Sequence, residues 1–183
     1  MILANRDESA EQQEGLVTAL IQRIDGLIIA LIMEEDRSVP SFIQTGVPVV
    51  FVDRDVTTTN CDRVLVDNLS GIEQAIDHLV SLGHTDIADN LVSFGALKAL
   101  NELSVQIPAA ISIIGFDDLS FANLLKPPLT VISGDDKDQG AQAARLFFDR
   151  ISGGRTSAGR VSTLPVNLVV RPSTSTPREK KRS

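Results

Sequence analysis

The chain has 183 residues, enough for one domain or for two small lobes that share connections. Hydrophobic residues make up 43% and aromatics only 4%, with seven Phe and no Tyr or Trp, so the core must be built from Val, Ile, Leu and Ala. A net charge of -7 argues against a nucleic-acid surface over the body of the chain, and the lone Cys61 rules out an intrachain disulfide.

No apolar run approaches bilayer-spanning length, and the start lacks the basic and long apolar parts of a signal peptide. A soluble cytoplasmic protein is the expectation. Ile2 to Ala4 reads as a short strand, followed by a polar loop holding Asn5 and then a helix from Ser9, its N-cap, to Ile24. Leu27 to Met33 is a continuous apolar run, expected as a strand buried on both faces. A short helix over Pro40 to Gln44 ends at Gly46, and Val47 to Val52 is a second buried strand. Val64 to Val66 is a short strand. Asn68 is placed as the N-cap of a helix that runs to about Leu82 and closes at Gly83.

The order then breaks. Thr85 to Ala88 starts like a strand but stops at Asp89-Asn90, and a helix follows over Leu91 to Leu103. Ile111 to Gly115 is a strand, Phe121 to Leu125 a short helix or turn, and Leu129 to Ile132 a strand. Asp138 to Ile151 is expected as a helix with Ala141, Ala144, Leu146, Phe147 and Phe148 on or near its buried side. Val161 to Leu164 and Val166 to Val170 are late strands split by Pro165, expected as a hairpin-like pair. Buried strands alternating with helices imply an α/β fold with parallel sheets.

Polar residues cluster just after strands, where open α/β sheets bind ligands. In GFDD, Gly115 to Asp118, two readings stand: the aspartates cap the next segment, or a carboxylate orients a ligand hydroxyl. Arg54, beside Asp53, is either a local ion pair or a bidentate donor to a polyol or carboxylate. Asn5 and Asp67-Asn68 occupy similar places. Together they suit a ligand rich in hydroxyls, such as a sugar or nucleoside. His78 is read as a helix-surface residue and His84 as a local partner of the helix end; their spacing is not a metal motif. No nucleophile motif, phosphate loop or dinucleotide fingerprint is present, so neither catalysis nor a cofactor nor a metal is expected.

One family shares these segments in order: RIDGLIIA at Arg23 to Ala30, GVPVVFVDRD at Gly46 to Asp55, VLVDN at Val64 to Asn68 and HLVSLGH at His78 to His84. FGALKALNEL at Phe94 to Leu103, IPAAISIIGFDDL at Ile107 to Leu119, PPLTVI at Pro127 to Ile132 and LPVNLVVRPST at Leu164 to Thr174 continue the match. The chain resembles the effector-binding domain of the lactose-repressor and purine-repressor family of bacterial transcription regulators. The resemblance implies a periplasmic-binding-protein-like fold, with two Rossmann-like lobes, a sugar or purine-like effector between them, and a homodimer. It places Arg54 and Asp53 at the pocket. Asn90 falls where the family has the aspartate of an Asn-Asp pair; here the order is Asp89-Asn90. Asp117 is placed near the cleft edge, and Phe121, Leu124, Leu125 and Pro127 on the dimer surface.

The resemblance also shows departures. By that resemblance the chain is expected to lack the family's helix-turn-helix before Met1 and several dozen family residues between Ala88 and Asp89. The expectation is therefore an incomplete two-lobe architecture: a partial N-terminal lobe over 1–84, a partial C-terminal lobe over 85–160, closing strands over 161–170 and a disordered basic tail over 171–183. The expected function is effector binding without direct nucleic-acid binding, with loss of function one outcome of the gaps. Partners would be a small-molecule effector and a second copy or an intact homologue. The alternative is a stand-alone small-molecule binding or dimerising modulator protein with no role at DNA.

Overall fold

The computed structural model describes residues 19, 23–31, 39–44, 46–56, 60–85, 94–153 and 158–177. The expected strand at Ile2 to Ala4, most of the first helix and the stub at 86–88 lie outside them. Two compact units emerge, each made from two stretches of chain: residues 1–66 with 135–164, and residues 67–134 with 165–183. This differs from the consecutive lobes expected from sequence, because strand pairing brings late segments back to early ones.

The first unit holds a parallel sheet of β1 (Leu27–Ala30), β2 (Val49–Val52), β3 (Asp62–Val66) and β6 (Val161–Leu164), in the order β1-β2-β3-β6. β-branched residues dominate these strands, as half-buried pleated surfaces favour. Helix α1 (Val39–Gln44) buries Val39 and Phe42 in a cluster with Leu31, Val49, Phe51 and Val56. A second cluster joins Val50, Val64 and Leu164 to Ala143 and Leu146 of α4 (Asp136–Ile151). Sequence patterning holds for β2, whose first three residues are buried. It fails for β1, where Ile28 is 45% exposed and Ala30 is exposed, because β1 ends the order of described strands.

The second unit holds β4 (Ile114–Phe116), β5 (Thr130–Ser133) and β7 (Asn167–Val169), with β4 parallel and β7 antiparallel to β5. Helix α2 (Asn68–Ser81) packs on β5 and β7, and α3 (Phe94–Glu102) contributes Leu97 and Leu100 to a cluster with Ile113, Ala122, Leu129 and Val131. A single 3-10 turn at Ala122–Leu124 fills the place expected for a short helix or turn.

Several expectations need correction. β6 and β7 form no hairpin: they enter different sheets. A tight hairpin turn needs positive-φ residues, which Pro165-Val166 does not supply. The N-cap of α2 is Asp67, whose carboxylate accepts from Ser70 N at 3.1 Å, and not Asn68. On α4 the buried residues are Ala143, Leu146 and Arg150, while Ala141 is exposed and Phe148 is 63% exposed. Residues 171–177 are not a loose tail. Ser173 is buried; its hydroxyl donates to Ile113 O and accepts from Thr130 N, both at 2.7 Å. Both histidines hold this segment: His78 Nε2 lies 2.9 Å from Thr174 Oγ1, and His84 Nε2 donates to Ser175 O at 2.9 Å. Neither a free surface role for His78 nor a purely local one for His84 survives.

Candidate functional site

In the first unit all four strands run the same way, so their C-terminal ends share one edge. At that edge the chain leaves β2 through Asp53, which adopts φ +73. Asp tolerates this left-handed region better than most residues. Asp53 N donates to Val64 O at 3.0 Å, and Arg54 N to Val52 O at 2.9 Å. The turn then falls back so that Val56 is buried in the core. What stays out is the side-chain pair. Arg54 Nε lies 3.5 Å from Asp53 Oδ2, with the two side chains 41% and 49% exposed. That nitrogen makes no hydrogen bond. A guanidinium and a carboxylate side by side, only loosely paired, offer a donor and an acceptor to a polar ligand.

In the second unit Asp117 follows β4 with φ +66, its N–H donating to Ile132 O at 2.8 Å. Its neighbour Asp118 has a structural task. Arg171 Nη1 and Nη2 reach the two Asp118 oxygens at 2.8 and 2.6 Å, and Nη1 also donates to Leu129 O at 3.0 Å. Those hydrogen bonds from Arg171 hold the Asp118 carboxyl below the usual carboxylate range. The two aspartates of GFDD therefore divide: Asp118 fastens the 171–175 segment, and Asp117 stays exposed at the strand end. Asn5 and Asn90 lie outside the described residues. Asp67 is occupied as the cap of α2.

Sequence reading missed the most buried charge cluster. Asp62, the first residue of β3, is 1% exposed and accepts from Arg150 Nε at 2.9 Å and Arg150 Nη2 at 2.7 Å. Arg160 adds a bond from its backbone N–H at 2.8 Å and one from Nη2 at 3.1 Å. Burial alone pushes the Asp62 carboxyl up, but the hydrogen bonds from Arg150 and Arg160 outweigh it and bring it down to about 2. The signal was present: Arg150 recurs on α4 at core spacing with Ala143 and Leu146. Beside this cluster, at the opposite edge of the sheet, lies a cavity of about 170 Å³ lined by residues 46–49, Asn60, Cys61, Asp62 and Arg150. It is smaller than the ~300–1,000 Å³ of ordinary ligand sites, and neither Asp53, Arg54 nor Asp117 lines it. Among the described residues no group of three or more His, Cys, Asp or Glu could hold a metal ion, and no helix is long and apolar enough to cross a membrane.

A family model for the periplasmic binding protein-like domain matches residues 89–174. The chain is 24% identical over 217 residues to a probable HTH-type transcriptional regulator, EndR of Paenibacillus polymyxa, covering 82% of this chain and 64% of that protein. It is 22% identical to the HTH-type transcriptional repressor PurR of Actinobacillus pleuropneumoniae, again with 82% and 64% covered. The chain is similar to regulators of the lactose-repressor and purine-repressor family. Its fold is that of the family's effector-binding domain. A LacI family regulator of Enterococcus faecium, solved with bound ribose, superposes with a TM-score of 0.77 at 24% identity, covering 96% of this chain and 87% of that one. The regulator CelR in its cellobiose complex gives 0.78 at 21% identity, covering 90% and 71%. These relatives are regulators and not enzymes. The chain spans less than two thirds of the length of EndR and PurR.

Proposed function

We propose that this chain senses a small polar metabolite, of the sugar or purine-like class, as the effector-binding part of a transcription regulator. The observation that carries this reading is the Asp53–Arg54 pair at the C-terminal edge of a parallel sheet, with both side chains partly exposed and 3.5 Å apart. Asp117, at the corresponding end of β4, is the candidate contact in the second unit, and Asn5 and Asn90 complete the set. Ribose and cellobiose bound to proteins of the same fold support the sugar class.

The reading includes a shortened second unit. The match to EndR runs over 217 residues, more than the whole chain, while covering 82% of it. Residues of that relative therefore stand opposite gaps here. The second unit exposes Leu69, Ile76 and Val80 on α2, at 70%, 43% and 56%. Such surface is what lost neighbouring elements would leave.

For self-association, Leu124 is the strongest of the proposed contact residues, being 78% exposed. Phe121, Leu125 and Pro127 are half-buried, and Leu125 packs against the core.

A thermal melt with D-ribose, cellobiose and hypoxanthine tests the function. Only native-state binding raises the midpoint, by about 2.7 kcal/mol of added stability at a hundredfold excess over Kd. A midpoint raised by one probe in the wild type and not in Arg54→Ala is expected. A midpoint blind to every probe counts against effector binding.

A further inference from the structure

Arg63 stands on β3 opposite Phe51 of β2 in register, one strand away from the turn that carries Asp53 and Arg54. Its side chain is 16% exposed. One nitrogen, Nη1, donates both to Asp55 Oδ1 at 2.9 Å and to Val56 O at 2.6 Å. Its Nε makes no hydrogen bond, so the bonds that Nη1 makes to those two residues set the guanidinium's place. They are the ones that follow Arg54.

The turn is therefore held at both ends. On the entry side the Asp53 and Arg54 amides bond to Val64 O and Val52 O. On the exit side Val56 is buried among Phe42, Val49 and Phe51, and its carbonyl is tied to Arg63. Between these anchors the Asp53 and Arg54 side chains project, 49% and 41% exposed, while the Asp55 carboxylate is taken up by Arg63. A hydrophobic side chain at position 63 could fill the strand site, but it could not reach a carboxylate and a carbonyl on the neighbouring loop. A charge-assisted bond to Asp55 is stronger than a neutral one and sets the loop's direction.

We propose that Arg63 is a positioning residue for effector binding: it holds the 53–56 turn in shape before the ligand arrives. This rests on the reading of Asp53–Arg54 as an effector contact. A preformed turn spares the ligand the entropy of ordering it, so affinity depends on a residue that never touches the ligand.

The experiment compares Arg63→Gln and Arg63→Lys with the wild type by amide hydrogen exchange, without ligand. Exchange at Asp53 and Arg54 is expected to speed up at least tenfold in Arg63→Gln, with the amides of Val50 and Val64 unchanged, and to return partway in Arg63→Lys. Unchanged exchange at Asp53 and Arg54, or an equal rise across the first unit, overturns the proposal. A second arm titrates D-ribose and cellobiose, where Arg63→Gln is expected to weaken binding about tenfold. The two failures separate. Arg54→Ala binding both probes like the wild type overturns the effector contact, while the exchange result still decides the clamp. Unchanged exchange in Arg63→Gln overturns the clamp whatever Arg54→Ala does.

Discussion

Arg150, in the last turn of α4, grips Asp62 at the start of β3 through two N–H···O bonds of 2.9 and 2.7 Å. The partners stand 88 positions apart in sequence, so this pair fixes both the rotation of α4 and its height on the sheet. It explains why Phe148 faces outward although its residue type favours burial. Asp62→Ala removes the buried carboxylate that receives two hydrogen bonds from the Arg150 guanidinium. A loss of about 3–5 kcal/mol in urea unfolding is expected. Arg160→Ala removes an arginine whose side chain is 42% exposed and is expected to cost no more than about 1 kcal/mol.

The same carboxylate sets an acid limit. Asp62 titrates at about 2 in the folded protein, against an ordinary value of 3.8. A lowered folded pKa means stability that is present in full above pH 4 and lost as pH falls toward 2, worth about 2 kcal/mol. Unfolding midpoints in urea between pH 5 and pH 2 check this. In Asp62→Asn that part of the acid dependence should disappear.

Gly71 sits in the first turns of α2, where a Cβ would lie 2.7 Å from Ile132 Cγ2 and 3.0 Å from Val166 Cγ2. Alanine is the better helix former by about 1 kcal/mol. Crowding against β5 should outweigh that gain, so Gly71→Ala is expected to destabilise by about 1–2 kcal/mol by denaturant unfolding. A more stable variant would show that α2 can move away from the sheet.

Exposed apolar surface predicts self-association. Leu124→Asp should shift sedimentation toward the monomer if the 121–127 face joins two copies. Leu69→Lys with Val80→Lys, on α2, should instead reduce aggregation on heating without changing that equilibrium. For the unaltered chain a broad thermal transition is expected, since among the described residues the second unit has three paired strands and much uncovered apolar area. A sharp transition like that of an ordinary domain would oppose this.

Much was legible in the residues themselves. The buried run Val49–Val52, the helix from Asn68 to Ser81 and the turn after Pro40–Gln44 follow from local pattern and punctuation. So did the polar strand ends, Asp53, Arg54 and Asp117, because a strand's last residue is marked by where its apolar run stops. That local grammar determined the α/β class, and the order of the segments carried the resemblance to the repressor family.

Other features depended on residues far apart in sequence. Nothing near Pro165 says that β6 will join β3 and β7 will join β5, since both strands read alike until each meets its sheet edge. His78 reads as a helix-surface residue and His84 as a local partner of the helix end until Thr174 and Ser175 arrive beside them. Asp62 and Arg150 look like separate charges until the fold buries them as one pair. Propensity and periodicity act over a few residues, whereas desolvation and pairing belong to the neighbours that the closed chain supplies. Only the tertiary structure could therefore decide that the carboxylates of Asp62 and Asp118 are spent on stability, and that Asp53 and Arg54 lie side by side and partly exposed.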